Sequence, residues 1–112
     1  MRPKKYGNKK VTVEGKTFDS KREATRYLEL LMMQKNGEIT GLDTQVPFEL
    51  LPVHRDTVTN KVAERAVKYV ADFVYYKDGE KVVEDTKGYK TPDYILKRKM
   101  LLYFHGIRVR EI

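Results

Sequence analysis

The 112-residue chain has no cysteine, which excludes a disulfide-stapled scaffold, a thiolate metal site and a cysteine nucleophile. Its two histidines, His54 and His105, have neither a carboxylate nor each other at ligand spacing, so both read as structural or solvent-facing. Any metal would have to be held by carboxylates. No apolar run approaches the roughly 18 residues that suggest a membrane span, and the first residues lack the apolar segment of a secretory signal. The expectation is a cytoplasmic protein with no membrane anchor. The length is short for two ordinary domains and sufficient for one core. What the chain has in excess is positive charge, 23 Lys and Arg against 16 Asp and Glu, a net +7. That balance favours a polyanionic partner, nucleic acid or an acidic membrane surface alike.

Residues 1–10 carry Arg2, Lys4, Lys5, Lys9 and Lys10 with no acid and read as a basic arm, either solubilising or phosphate-contacting. Ser20 is a candidate N-cap for a first helix of good helix formers through Gln34, which Asn36-Gly37 should stop. Residues 45–51 suggest a short strand, placed at a sheet edge by Pro47, and residues 52–65 a polar connection. Two runs rich in Val, Tyr and Phe, 67–76 and 80–86, flank Asp78-Gly79 and predict a hairpin. Thr91-Pro92-Asp93 then provides a cap, a first-turn proline and an acid for a second helix to about His105, with Gly106 as its stop. Residues 107–112 alternate apolar with polar, as a last strand would. The element order is α-β-β-β-α-β. The closing strand–helix–strand passage should be a right-handed crossover that sets the last strand parallel to the one before it.

The hairpin register carries chemistry. A two-residue turn at Asp78-Gly79 sets Lys77 opposite Glu80, Val74 opposite Val83 and, further out, Asp72 opposite Asp85. Two carboxylates with Cβ atoms about 4.5–5.5 Å apart repel unless a positive charge lies between them. Lys87, on the same face as Asp85, supplies part of it, and a divalent cation could supply more. An oxygen-only donor set favours magnesium or manganese over zinc. The bland alternative makes Asp72 and Asp85 solvated residues of an open face and Lys87 a simple ion-pair partner. Against it, Asp72 interrupts an almost continuously apolar run, where a carboxylate needs a partner. A bulge would bring Glu84 toward Asp72 instead, making it a reserve ligand.

A third acid comes from the first helix. On a helical wheel Glu23 lies inside the apolar arc, about 40° from Tyr27 and 100° from Ala24. Yet Ser20 to Glu23 also matches the S-x-x-E capping box, in which the same carboxylate only reaches back to the cap amide. Glu29, with Thr25 and Arg26, falls on the polar side and reads as solvated. In the second helix Lys99 lies between Ile95 and Tyr103, pointing inward or snorkelling along an apolar face. Lys97 and Arg98 are free to meet phosphates or to sit on a solvated face.

Glu23 within FDSKREATRY, Asp72 within YVADFVYY, and Asp85-Thr86-Lys87 within VVEDTKGYKTPDY together resemble the PD-(D/E)xK nuclease superfamily, more closely its small phage and prophage members. Ala71 stands where the name-giving proline would. The resemblance implies a restriction-endonuclease-like α+β fold, an αβββαβ core with a four-stranded mixed sheet flanked by two helices. It makes residues 18–112 one nuclease-like domain, preceded by the basic arm and lead-in of residues 1–17. It further implies that Asp72 and Asp85 bind one or two Mg2+ or Mn2+ ions, that the Thr86 carbonyl helps, that Glu23 supports the second ion, and that Lys87 orients the attacking water. Lys4, Lys5, Lys9, Lys10, Lys90, Lys97 and Arg98 become candidates for holding the nucleic-acid backbone, expected to be DNA, with a salt-sensitive affinity. Resolving two strands of branched phage DNA at once would need a homodimer. Two other readings compete: a non-catalytic nucleic-acid-binding module on the same fold, and a phage assembly or interaction protein in which the carboxylates are incidental.

Overall fold

The computed structural model of the chain describes residues 10–112. In chain order its elements are β1 (Val11–Val13), β2 (Lys16–Phe18), α1 (Lys21–Lys35), β3 (Thr40–Leu51), β4 (His54–Arg55), β5 (Val62–Glu64), β6 (Val67–Lys77), β7 (Glu80–Asp85), α2 (Pro92–His105) and β8 (Arg110–Glu111). Both helices end where local chemistry dictates. Ser20 Oγ accepts the Glu23 amide at 3.1 Å and Thr91 Oγ1 accepts the Tyr94 amide at 3.1 Å, each satisfying one of the free first-turn donors. Gly106, at φ 67°, closes α2 in the left-handed conformation that a Cβ would disfavour. Asp78 and Gly79, both at positive φ, make the tight turn between β6 and β7.

Four strands form a mixed sheet in the order β3-β6-β7-β8, antiparallel except for the parallel β7–β8 pair. The protein is thus a mixed α+β domain with the αβββαβ order in its sheet and helices. Pro47 is tolerated because β3 is an edge strand. Two hairpins lie outside that core. β1–β2 occupies the stretch read as lead-in, and it buries Phe18 against α1. β4–β5 replaces the plain connection expected over 52–65, organised by Asp56, whose carboxylate accepts the Val58 and Thr59 amides. The last strand is shorter than its alternating pattern suggested, with only Arg110 and Glu111 paired to β7.

The sheet carries one apolar cluster on each side. Ala24, Tyr27 and Leu30 of α1 pack with Phe18, Ile39, Phe73 and Tyr75, whereas Tyr94 and Leu101 of α2 pack with Phe48, Tyr69, Ala71, Val74 and Val83. Odd-numbered residues of β6 therefore change partner helix between Ala71 and Phe73, at Asp72. Across the strand pair Gln45 stands opposite that residue, between the Thr44–Phe73 and Val46–Ala71 pairs, and adopts φ 52°. Residues 71–75 are buried without interruption, which is why no alternation marks them.

Candidate functional site

The paired residues of β6 and β7 run from Lys77–Glu80 to Phe73–Glu84, so Asp72 and Asp85 occupy the next positions outward, in the register that the turn predicts. The contact between them is not one of two opposed charges alone. The Asp72 amide donates to Asp85 Oδ1 at 3.0 Å, and Asp72 Oδ2 accepts both the amide of Thr86 at 2.9 Å and its hydroxyl at 3.0 Å. Thr86 thus acts through its amide and hydroxyl, clamping Asp72. Asp85 is fully buried, and its Oδ2 has no hydrogen-bond partner among the described residues. Burial pushes the Asp85 carboxyl from its ordinary 3.8 up to about 6, opposed by the Lys87 ammonium and the Asp72 amide and reinforced by the Glu111 charge.

Glu23 faces this pair from the first turn of α1. Ser20 caps the helix, but among the described residues the reciprocal bond from the Ser20 amide to the Glu23 carboxylate is not formed, so the side chain is not consumed as a capping box. Burial raises its pKa from 4.5 to about 7, the Asp72 charge adds to the rise, and Lys87 opposes it. Lys87 Nζ lies 4.7 Å from the centroid of the Tyr94 ring, a cation–π contact that holds the ammonium at the start of the link to α2. Tyr94 in turn donates its hydroxyl to Glu111 Oε2 at 2.7 Å.

A cleft of about 480 Å³ opens beside these groups, between the first turn of α1 and the link from β7 to α2, with Arg22, Glu23, Thr86, Lys87 and Tyr89 in its walls. Asp72 and Asp85 do not line it; they lie behind Thr86. Among the described residues no three Asp, Glu or His side chains gather closely enough to hold a metal ion as they stand. The side chains expected to cage an ion are therefore brought into one neighbourhood, with a linked Asp72–Asp85 pair and Glu23 within electrostatic reach, but not into one coordination shell.

Other expected roles are reassigned. Glu84 is no reserve ligand: with no bulge in the β6–β7 pairing it faces α1, fully buried, where Arg26 Nε and Nη2 grip its two carboxylate oxygens at 2.9 and 2.8 Å and the Tyr75 hydroxyl donates to it. Arg26 is accordingly no solvated residue. Its guanidinium also meets the exposed Glu29 at 3.2 Å, and the Glu84 bonds hold its pKa above the usual arginine range. The Tyr75 hydroxyl is pushed up to about 12 by burial and by Glu84. Lys99 is exposed rather than turned inward.

Lys90 and Arg98 bind Glu111 at 3.2 and 2.9 Å, and Lys97 lies 3.5 Å from Asp93, so these three candidates for phosphate contact already have anionic partners. The Tyr94 hydroxyl first, and then the two cations Arg98 and Lys90, lower the Glu111 carboxyl to about 2 against the opposing effect of burial. Lys10 is exposed, and Lys4, Lys5 and Lys9 lie outside the described residues. His54 and His105 are exposed, and a ring nitrogen of His105 meets the Glu49 carbonyl. Sequence reasoning passed over Arg22 and Tyr89 on the cleft wall. The signal for Tyr89 was its place in a short loop directly after D-x-K, where a rigid scaffold offers residues for function.

Fold and site together define a small mixed α+β domain with a buried, interlocked acidic pair behind a cleft that carries both cations and acids. Its class has a family. The chain belongs to the family described as protein of unknown function (DUF1064), whose model matches residues 3–110. Neither the curated proteins nor the solved structures contain a match. No helix among the described residues is long and apolar enough to cross a membrane.

Proposed function

We propose that the protein is a divalent-metal-dependent endonuclease that hydrolyses DNA phosphodiesters on a PD-(D/E)xK-type, restriction-endonuclease-like core. The observation that carries this reading is the orphaned Asp85 Oδ2, buried beside Asp72, with the Glu23 carboxyl near enough to feel the charge of both, a site with more acid than the one nearby ammonium balances. Hard oxygen donors of this kind fit Mg2+ or Mn2+, which Asp72 and Asp85 would hold with support from Glu23. Such an ion supplies Lewis-acid activation of water and of the phosphate.

The chain's own groups do the rest. Thr86 fixes the orientation of Asp72. Glu23 would complete the acid set around the ion from the first turn of α1. Lys87, steadied over Tyr94, and Arg22 present positive charge to a phosphate in the cleft. A phage- or prophage-encoded enzyme working in the bacterial cytoplasm would meet branched DNA there, and a homodimer would reach both strands.

The test is cleavage of supercoiled, single-stranded and four-way-junction DNA with magnesium or manganese, alongside Asp72→Asn and Lys87→Ala. Metal-dependent cutting that both substitutions abolish is the expected result, and its absence on every substrate overturns the reading. Among the described residues no three acids gather around one point, and that spacing favours a second reading, a nucleic-acid-binding module without catalysis. Salt-sensitive binding with no cutting under any metal would establish it in place of the first.

A further inference from the structure

Tyr89 is 78% exposed, yet it is not on a loose loop. The link that carries it is pinned on both sides: Lys87 by its contact with the Tyr94 ring, Lys90 by the ion pair to Glu111, and Thr91 by its cap bond to the Tyr94 amide. Its ring stands in the wall of the cleft that also holds Arg22, Glu23 and Lys87. Among the described residues the other strongly exposed tyrosine, Tyr103, leans edge-on against Phe104 at 5.0 Å between ring centroids. Tyr89 has no such aromatic neighbour among the described residues. Gly88, next to it, faces Arg22, whose Nη1 lies 4.0 Å from where a Cβ would stand. Tyr89, Lys87, Glu23 and Arg22, whose Nη2 also donates to the Ile112 carbonyl at 2.7 Å, therefore line one cleft, with the Cα atoms of Tyr89 and Lys87 at most about 7 Å apart.

We infer that Tyr89 is a stacking platform for an unpaired base, which makes DNA with single-stranded character, rather than continuous duplex, the ligand of this cleft. A base stacked inside a duplex has both faces covered, whereas a splayed or single-stranded base offers one to an aromatic ring while the adjacent phosphates meet cations. With Arg22 and Lys87 beside the ring, a nucleotide seated on Tyr89 brings its phosphate toward Glu23 and Lys87. Base identity is not read by such a contact, so the preference is for an exposed base of any sequence. The inference rests on the nucleic-acid reading of the same site, and it goes further by naming the kind of strand.

The experiment titrates the full chain, in calcium so that bound DNA is not expected to be cut, with oligodeoxynucleotides carrying 2-aminopurine. Three forms are compared: a single strand, a blunt duplex, and a duplex with a single-stranded flap. The wild-type protein should quench the probe in the single strand and the flap. Tyr89→Ala should remove the quench and weaken binding to those two forms by about five- to a hundredfold, with duplex affinity held within about twofold. Tyr89→Phe should retain both quench and affinity. Thermal unfolding of each variant checks that this exposed residue leaves the fold intact. Equal binding of single strands by wild type and Tyr89→Ala, an equal loss on blunt duplex, or no DNA binding at all overturns the inference. Quenching without cleavage under any metal overturns only the nuclease reading, and cleavage unaffected by Tyr89→Ala overturns only the stacking one.

Discussion

Replacing Asp85 by asparagine should make the protein more stable in alkali than the wild type, by an amount that grows with pH. Asparagine keeps the Oδ1 acceptor for the Asp72 amide and removes the buried charge. Because the folded pKa of Asp85 is raised from 3.8 to about 6, the native state binds the proton more tightly than the unfolded chain. The group's stabilising contribution is therefore complete below about pH 4 and is lost as the pH climbs through about 6. At about 1.4 kcal/mol per pH unit, the wild type has given up about 3 kcal/mol by pH 8. The group is fully buried, so solvent screening takes little from that figure. Urea unfolding of both proteins at pH 4 and pH 8, followed by circular dichroism, should show the difference moving in favour of Asp85→Asn by about 2–3 kcal/mol. Magnesium should restore the wild type at pH 8, by about 2.7 kcal/mol at a hundredfold excess over its dissociation constant, and leave the variant unmoved. A stability difference that stays flat between the two pH values would refute the reasoning, because it would mean that Asp85 is not ionised into an uncompensated interior.

Arg26→Ala should cost about 3–5 kcal/mol in urea unfolding by stranding the Glu84 carboxylate, and adding Glu84→Gln should recover part of it. Leu101→Ala, at a fully buried position of α2, should cost about 2–5 kcal/mol by the same assay. Glu23→Gln should lower the metal-dependent cleavage rate by about 10- to 100-fold on the same DNA substrates, and because burial raises its carboxyl to about 7 the substitution also bears on stability. It should also stabilise the protein at pH 8 by only about 1 kcal/mol, since this half-exposed group is partly screened. Lys97→Ala should change salt-dependent DNA binding little, because that ammonium already answers Asp93; a fall of one in the salt slope would show that it meets a phosphate instead.

The helices and the central hairpin were legible because their signals are local. Ser20, Thr91, Gly106 and Asp78-Gly79 each act within a few residues of themselves, and the observed bounds fall on them. β3 begins five residues earlier than its apolar run indicates, since Thr40, Asp43 and Thr44 gain their strand conformation from pairing with β6, an interaction that no short window contains. The β4–β5 hairpin escaped notice for a similar reason, being held by the Asp56 side chain and not by apolar alternation. Of the site, the Asp72–Asp85 juxtaposition followed from the turn register, but the Thr86 clamp did not, because hydroxyl bonding leaves no periodic trace. Arg26 was misread because a wheel with one apolar arc assigns an arginine on its far side to water, whereas its partner Glu84 lies 58 residues away, on the face of the sheet that α1 covers.

The interlock at the sheet's end makes two backbone amides into reporters. The N–H of Asp72 donates to the Asp85 side chain, and that of Thr86 to the Asp72 side chain, so both amides sense a carboxylate directly. Protonating or ligating either carboxylate weakens its hold on one specific amide hydrogen. Isotope exchange at those two positions therefore reads out the charge state of the pair from within, without a dye, a substrate or a substitution.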